Sequence, residues 1–264
     1  MWTPDVYEGA PTPIAAYLSV ASKAAGFAVA IRVFQTSFVG ASADWTFLIA
    51  LLAAATMTVG NLVAMAQSNI KRMLAYSSIA QAGYVLVGVA AASEQGLTAV
   101  LFYLAAYTAT NLGAFIAVIE IAGRTGSERI ADYAGLHRRA PWLAFALAVS
   151  LLSLAGLPPL AGFFAKIYVF SAAVQSGLGW LVLLGVLNSA ISLYYYAQVI
   201  HEMYIVQGPD TGFADAFKAL ATRPRAVAPL VTALGIAVLG TFALGILSGY
   251  FLGVADAAAR TLGQ

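Results

Sequence analysis

Seven apolar stretches separated by short polar loops order this chain: about 13–39, 45–67, 73–92, 98–122, 141–174, 178–205 and 228–253. As helices, each is long enough to cross roughly 30 Å of hydrocarbon. The fifth is too long for a simple span, because its 34 residues would reach about 50 Å. The pair Pro158-Pro159 interrupts it. Proline has no N–H to donate, and its ring clashes with the preceding turn. The pattern therefore predicts two half-helices, about 141–156 and 160–174, flanking an irregular link. The expected fold is an all-α polytopic membrane protein with about seven transmembrane helices, one of them broken.

Composition agrees with the pattern. Of 264 residues, 61% are hydrophobic and 9% charged, with a mean hydropathy of +0.86. A soluble domain carries about 25% charged residues, so the expected surroundings are a lipid bilayer. The net charge of +2 makes no case for nucleic acid. The chain has no cysteine, which excludes disulfides, thiolate-held iron–sulfur clusters and Cys-type zinc sites. His137 and His201 are too few and too far apart to suggest a metal.

The opening WTPDVYEGAPTP has acids and prolines where a signal peptide has a basic region. It reads as a surface loop, residues 1–12, inside a longer gene product. Loop charge sets the orientation. Lys71, Arg72, Arg124, Arg129, Arg138, Arg139, Lys218, Arg223 and Arg225 lie in the loops at 68–72, 123–140 and 206–226. The opposite loops at 40–44, 93–97 and 175–177 hold no Lys or Arg. The positive-inside rule puts the basic loops and residue 1 in the cytoplasm and the C-terminus outside.

Candidate chemistry lies inside the spans. Lys23 is about ten residues into the first span, about 15 Å deep, and Lys166 follows the proline break. A lysine near a bilayer centre costs roughly 2.5–3.5 kcal/mol on insertion scales. No acid lies at mid-depth in any span. The bland reading is a buried structural cation held by an acid or by backbone carbonyls. The functional reading is a proton-relay or ion site, the usual role of intramembrane ionisable groups. Polar residues at similar depth include Ser77, Ser78, Gln81, Tyr84, Tyr103, Tyr107, Asn111, Asn188, Ser189 and the run Tyr194–Tyr196. Singly, such groups glue helices together. Together they suggest a hydrated axis along the membrane plane.

The stretches Trp2–Pro13 (WTPDVYEGAPTP), Ser22–Phe27 (SKAAGF), Asn69–Tyr84 (NIKRMLAYSSIAQAGY) and Ser153–Phe170 (SLAGLPPLAGFFAKIYVF) resemble subunit N of proton-pumping NADH–quinone oxidoreductase, respiratory complex I. Mrp-type antiporter subunits are related. The resemblance implies the second half of a fold made of two inverted five-helix repeats. Residues 13–39 would be the last helix of the first repeat. Residues 45–205 would be the second repeat, with broken helix 141–174. A cytoplasmic loop at 206–227 and a terminal helix with an external tail at 228–264 would follow.

By the same resemblance, Lys23 is the central relay lysine and Lys166 the lysine of the second broken helix, beside Pro158 and Pro159. Ser77, Gln81, Tyr103, Tyr107, Asn111 and Tyr195 would support the path between them. Gln81 stands where some members have histidine, so a path there needs water or hydroxyls. The implied function is proton translocation coupled to quinone reduction in a bacterial or archaeal cell membrane. NADH, FMN, iron–sulfur clusters and quinone would sit in partner subunits, with none in this chain. Expected partners are the other membrane subunits of complex I and the N-terminal half of the same subunit. The alternatives are an Mrp-type cation/proton antiporter subunit and a purely structural membrane scaffold.

Overall fold

The computed structural model describes residues 2–34, 38, 40, 42–208 and 224–262; at 42–44, 224–228 and 262 it describes the backbone alone. Lys218 and Arg223, used in the loop-charge argument, lie outside the described residues, as do 209–223 of the loop expected at 206–227.

The described secondary structure is helical apart from one isolated bridge between Asn69 and Arg129. The chain opens with α1 (Thr3–Gly9) and α2 (Thr12–Tyr17). A single π-helical turn, Leu18–Ser22, leads into α3 (Lys23–Arg32). There follow α4 (Ser42–Ala64), α5 (Ile70–Ala90) and α6 (Glu94–Thr125). The segment after α6 holds a 3-10 turn, Ile130–Tyr133, and the short α7 (Leu136–Arg139). Next come α8 (Pro141–Ala155), α9 (Ala161–Gln175), α10 (Gly179–Tyr204), α11 (Pro224–Ile246) and α12 (Ser248–Leu262).

Among the described residues, six helical segments are long and apolar enough to cross a membrane: Thr12–Arg32, Trp45–Ala64, Ile70–Ala90, Glu94–Thr125, Gly179–Tyr204 and Pro229–Ile246. The half-helices α8 and α9 are the pieces of the broken span. Their ends lie within a residue of those expected from the prolines. The chain is a multi-pass membrane protein, and its outward faces suit lipid. Leu183 and Leu187 on α10, and Ile236 and Leu239 on α11, are exposed.

Two readings from the sequence change. Residues 3–9, read as loop, form α1, with Tyr7 buried. The last apolar stretch does not run on as one helix to 253. It turns at Leu247, and Ser248–Leu262 forms a separate amphipathic helix packed on α6. Asp256 and Arg260, one turn apart, pair at 2.8 Å on it.

The bundle is built around α5 and α6. Along α5, 78% of the span is buried, against 28% for Thr12–Arg32 and for α11. Helices α4 and α5 meet through small residues, Ala53 and Gly60 against Ala80 and Gly83, which let backbones approach closely. Helix α6 contacts α2, α5, α8, α9, α11 and α12. Any side chain pointing inward from α5 or α6 therefore faces protein rather than lipid. A polar one there must find a protein partner.

Candidate functional site: two lysines joined by a polar chain

The break in the fifth span creates the first half of the site. Pro158 and Pro159 cannot donate to the helical ladder, so α8 ends at Ala155. Its cap, Gly156, has φ 94°, in the left-handed region that suits glycine. The last carbonyls of a helix have no partner within it. Lys166, from the second turn of α9, reaches back to them. Its Nζ donates to the Leu154 carbonyl at 3.1 Å, the Ala155 carbonyl at 2.7 Å and Ser189 Oγ at 2.8 Å. It also lies 4.7 Å from the centre of the Tyr84 ring. The side chain is 5% exposed. A helix C-terminus carries partial negative charge, and this end holds the cation in place of an acid. The two half-helices are tightly apposed: a Cβ at Gly162 would stand 1.8 Å from the Ser153 carbonyl oxygen.

Lys23 starts α3 directly after the π turn. Its Nζ donates to both the carbonyl and the hydroxyl of Ser78 on α5. It stands 5.2 Å from the centre of the Tyr107 ring. The Tyr107 hydroxyl donates to the same Ser78 Oγ at 3.0 Å. One turn before Lys23, Ser19 Oγ accepts from Asn111 Nδ2 at 2.6 Å, tying this span to α6. Among the described residues, no carboxylate pairs with either lysine. Glu120 pairs instead with Arg124 at the end of α6.

Between the lysines lies one further turn of α5 and α6. Gln81 follows Ser78 by three residues and Tyr103 precedes Tyr107 by four, so each pair shares a helix face. The Tyr103 hydroxyl donates to Gln81 Oε1. Gln81 Nε2 donates at 3.0 Å to the Leu154 carbonyl, the oxygen that also accepts from Lys166. A cavity of about 10 Å³ touches Gln81, Tyr103, Tyr107, Thr110, Ser153 and Leu154. That is room for about one water.

A side branch flanks this chain. Ser77 bonds Tyr196, whose ring lies 4.4 Å from that of Tyr195. The Tyr195 hydroxyl donates to Asn61 Oδ1 at 3.0 Å, and Asn61 Nδ2 donates to Tyr84 at 3.3 Å. Asn61 Nδ2 also donates to Asn188 Oδ1 at 3.2 Å.

The structure thus gathers Gln81, Tyr103 and Tyr107 between the lysines. Ser77 and Tyr195 lie in the flanking branch, and Asn111 stands beside the Lys23 span. Tyr194, of the same tyrosine run, is 59% exposed and points away. Ser78 and Ser189 stand in the sequence among many mid-depth hydroxyls, and nothing in their spacing marks them as lysine partners. Ser19 is a further hydroxyl four residues before Lys23, a helical spacing that could have flagged it. The Leu154 carbonyl carries no side-chain signal at all.

Comparison with known proteins follows the same lines. The NADH-quinone oxidoreductase subunit N of Trichlorobacter lovleyi is 48% identical over 264 residues, covering 99% of this chain and 52% of that protein. A chain in the structure of respiratory complex I from Thermus thermophilus with bound aureothin is 36% identical, with a TM-score of 0.76 over 96% of this chain and 53% of that one. A chain of the Mrp complex from Dietzia sp. is 25% identical, with a TM-score of 0.87 over 100% of this chain and 55% of that one. The chain spans about half the length of the curated relatives it matches. The family model described as NADH:quinone oxidoreductase/Mrp antiporter, TM, matches residues 1–192, and the chain belongs to that family.

Proposed function

We propose that this chain is part of a proton-translocating membrane subunit of an NADH–quinone oxidoreductase, and that it moves protons between Lys23 and Lys166. The observation that carries the reading is the Leu154 carbonyl shared by Gln81 and Lys166. Through it, hydrogen-bonding groups run from Lys23 by way of Ser78, Tyr107, Tyr103 and Gln81 to Lys166. For a proton the chain has two gaps. One lies between the Tyr107 and Tyr103 hydroxyls, the other at the Gln81 amide and the Leu154 carbonyl, which pass no proton themselves. The one-water cavity borders Tyr103, Tyr107 and Leu154, where water would complete the path. Gln81 cannot take part by titrating. Its amide orients Tyr103 and the space beside it, and the proton passes through hydroxyls and water.

Charge drives the transfer. Two ammoniums about 10 Å apart at an effective dielectric of 20 repel by about 1.7 kcal/mol. Protonating one lysine therefore favours proton loss from the other. Quinone chemistry in partner subunits changes the charge along this axis and so biases the direction. NADH, FMN and iron–sulfur clusters belong to those partners, and this chain carries no redox chemistry of its own. The basic loops face the cytoplasm, and Lys166 releases its proton to the outside. The residues that relatives carry beyond the matched half supply the rest of the path.

The test is Lys166→Ala in the assembled complex. The expected result is electron transfer with proton pumping lost. Undiminished pumping with normal electron transfer would sink the relay. A cation/proton exchange role of the Mrp type draws on the higher TM-score to the Mrp chain, while the higher identity to the complex I chain favours the first reading. Sodium-dependent exchange in vesicles separates the two. A purely structural scaffold requires both lysines to tolerate methionine.

A further inference from the structure

We propose that the cleft between α6, α9 and α12, at the end of the bundle opposite the basic loops, holds the ammonium headgroup of an ethanolamine phospholipid. The site takes no part in the lysine relay.

The cleft has a volume of about 550 Å³, within the range of small-molecule sites. It begins where α6 begins, at Glu94, and is walled by the last two turns of α9 and by α12. Lys166 serves a different face of α9, the one that meets the end of α8 and Ser189 of α10. Tyr168, two residues on, lines the cleft and packs edge-on against Phe102 of α6 at 5.1 Å.

Two glycines keep the cleft open. Gly249 and Gly253 stand one turn apart on α12, and both line it. Glycine weakens a helix interior, so each needs a reason. At Gly60, Gly83 and Gly162 the reason is another backbone in contact. At Gly249 and Gly253 a Cβ would meet no atom within 4 Å, and neither has the left-handed φ of a helix cap. What these two residues omit is side chain from the cleft.

The charge in the cleft is negative. Glu94 and Asp256 line it, and no lysine or arginine does. Asp256 pairs with Arg260 at 2.8 Å and accepts from the buried Thr98 hydroxyl at 3.3 Å. Among the described residues Glu94 makes no ion pair. One carboxylate is therefore in excess, with the oxygens of Tyr168, Ser171 and Gln175 in the same lining. Such a lining accepts hydrogen bonds from one ammonium group. A hard metal ion draws about six oxygens onto itself. Two carboxylates, one already tied to Arg260, do not supply that in so wide a space.

The surroundings assign the ammonium to a lipid. Tyr250 and Val254, the neighbours of the two glycines on α12, are exposed, and so is Val174 at the end of α9. Apolar side chains therefore flank the cleft and suit acyl chains; a soluble amine makes no use of them. Arg260, exposed one turn beyond Asp256, adds a cation beside the site. It complements the phosphate that follows the ammonium in such a headgroup.

The test uses the assembled complex in nanodiscs that contain phosphatidylethanolamine or phosphatidylglycerol, each with a photoreactive group in one acyl chain. The readout is label on the peptides of α6 and α12, counted per complex. In the wild type the ethanolamine lipid should label these peptides about fivefold more than the glycerol lipid, the factor for one exposed ion pair. Gly253→Leu fills the cleft where a side chain has room and favours the helix, so it should remove the excess. Glu94→Gln keeps the shape without the charge and should bring the ratio near one. Free ethanolamine at millimolar concentration should leave the lipid label unchanged. Equal labelling by the two lipids in the wild type overturns the proposal, as does an excess that survives Glu94→Gln or a folded Gly253→Leu. Loss of the label to free ethanolamine overturns it too, because the cleft is then a site for a soluble amine.

Discussion

At the scale of single residues, the two lysines solve the same physical problem in different ways. An ammonium out of water needs acceptors, and among the described residues neither buried Lys166 nor half-buried Lys23 pairs with an acid. Lys166 takes the carbonyls that a helix end leaves over. Lys23 takes a serine carbonyl and hydroxyl and an aromatic face. The sequence shows both lysines at depth but not these partners, because a backbone carbonyl looks the same at every position. Gln81 is the sharpest single-residue test of the path between them. Gln81→Leu removes the donor to Leu154 and the acceptor for Tyr103. It should lower proton transfer by about tenfold or more while costing roughly 1–3 kcal/mol of stability from unpaired groups. Gln81→His keeps a group able to bond and to titrate, and should retain most of the transfer. Pumping rates of the two variants in vesicles check this, and equal rates would remove Gln81 from the path.

At the scale of elements, the broken helix was the most legible part of the chain. Two adjacent prolines in a long apolar run leave little freedom, and the half-helices end within a residue of expectation. The stop depends as much on Gly156 as on the prolines. At φ 94° a side chain is strained, and a Cβ would also lie 3.0 Å from Lys166 Cδ. Gly156→Ala should cost about 1–2 kcal/mol, seen as earlier unfolding in detergent, and should disturb Lys166 as well. An unchanged unfolding curve would mean that the cap is not under conformational constraint.

The elements at the two ends were harder to read. Helix α1 is too short and too polar to stand out by period, and its one buried aromatic gives no pattern. The turn at Leu247 falls within a continuous apolar run. Only the later pair Asp256 and Arg260, at helical spacing, marks a change from spanning to amphipathic character. Hydropathy also does not say which spans are central. The enclosed helices α5 and α6 are about as apolar as α10, of which only a third is buried.

At the scale of the whole molecule, orientation is the first quantity to fix. The chain has no cysteine, so single cysteines report cleanly. Gly123→Cys, in the last turn of α6 with open space around its Cβ, should react with an impermeant maleimide only from the cytoplasmic side. Gln175→Cys, exposed at the end of α9, should react only from outside. The reverse pattern would invert the proposed direction of proton flow. The central claim is that Lys166 carries a proton rather than simply plugging a helix end, and arginine separates the two. Arginine keeps the charge and the donors but does not release its proton in a protein. The decisive measurement is therefore the number of protons pumped per electron by the assembled complex carrying Lys166→Arg. The account predicts normal assembly, continuing electron transfer and pumping reduced by at least about tenfold. A wild-type proton-to-electron ratio in Lys166→Arg would contradict it.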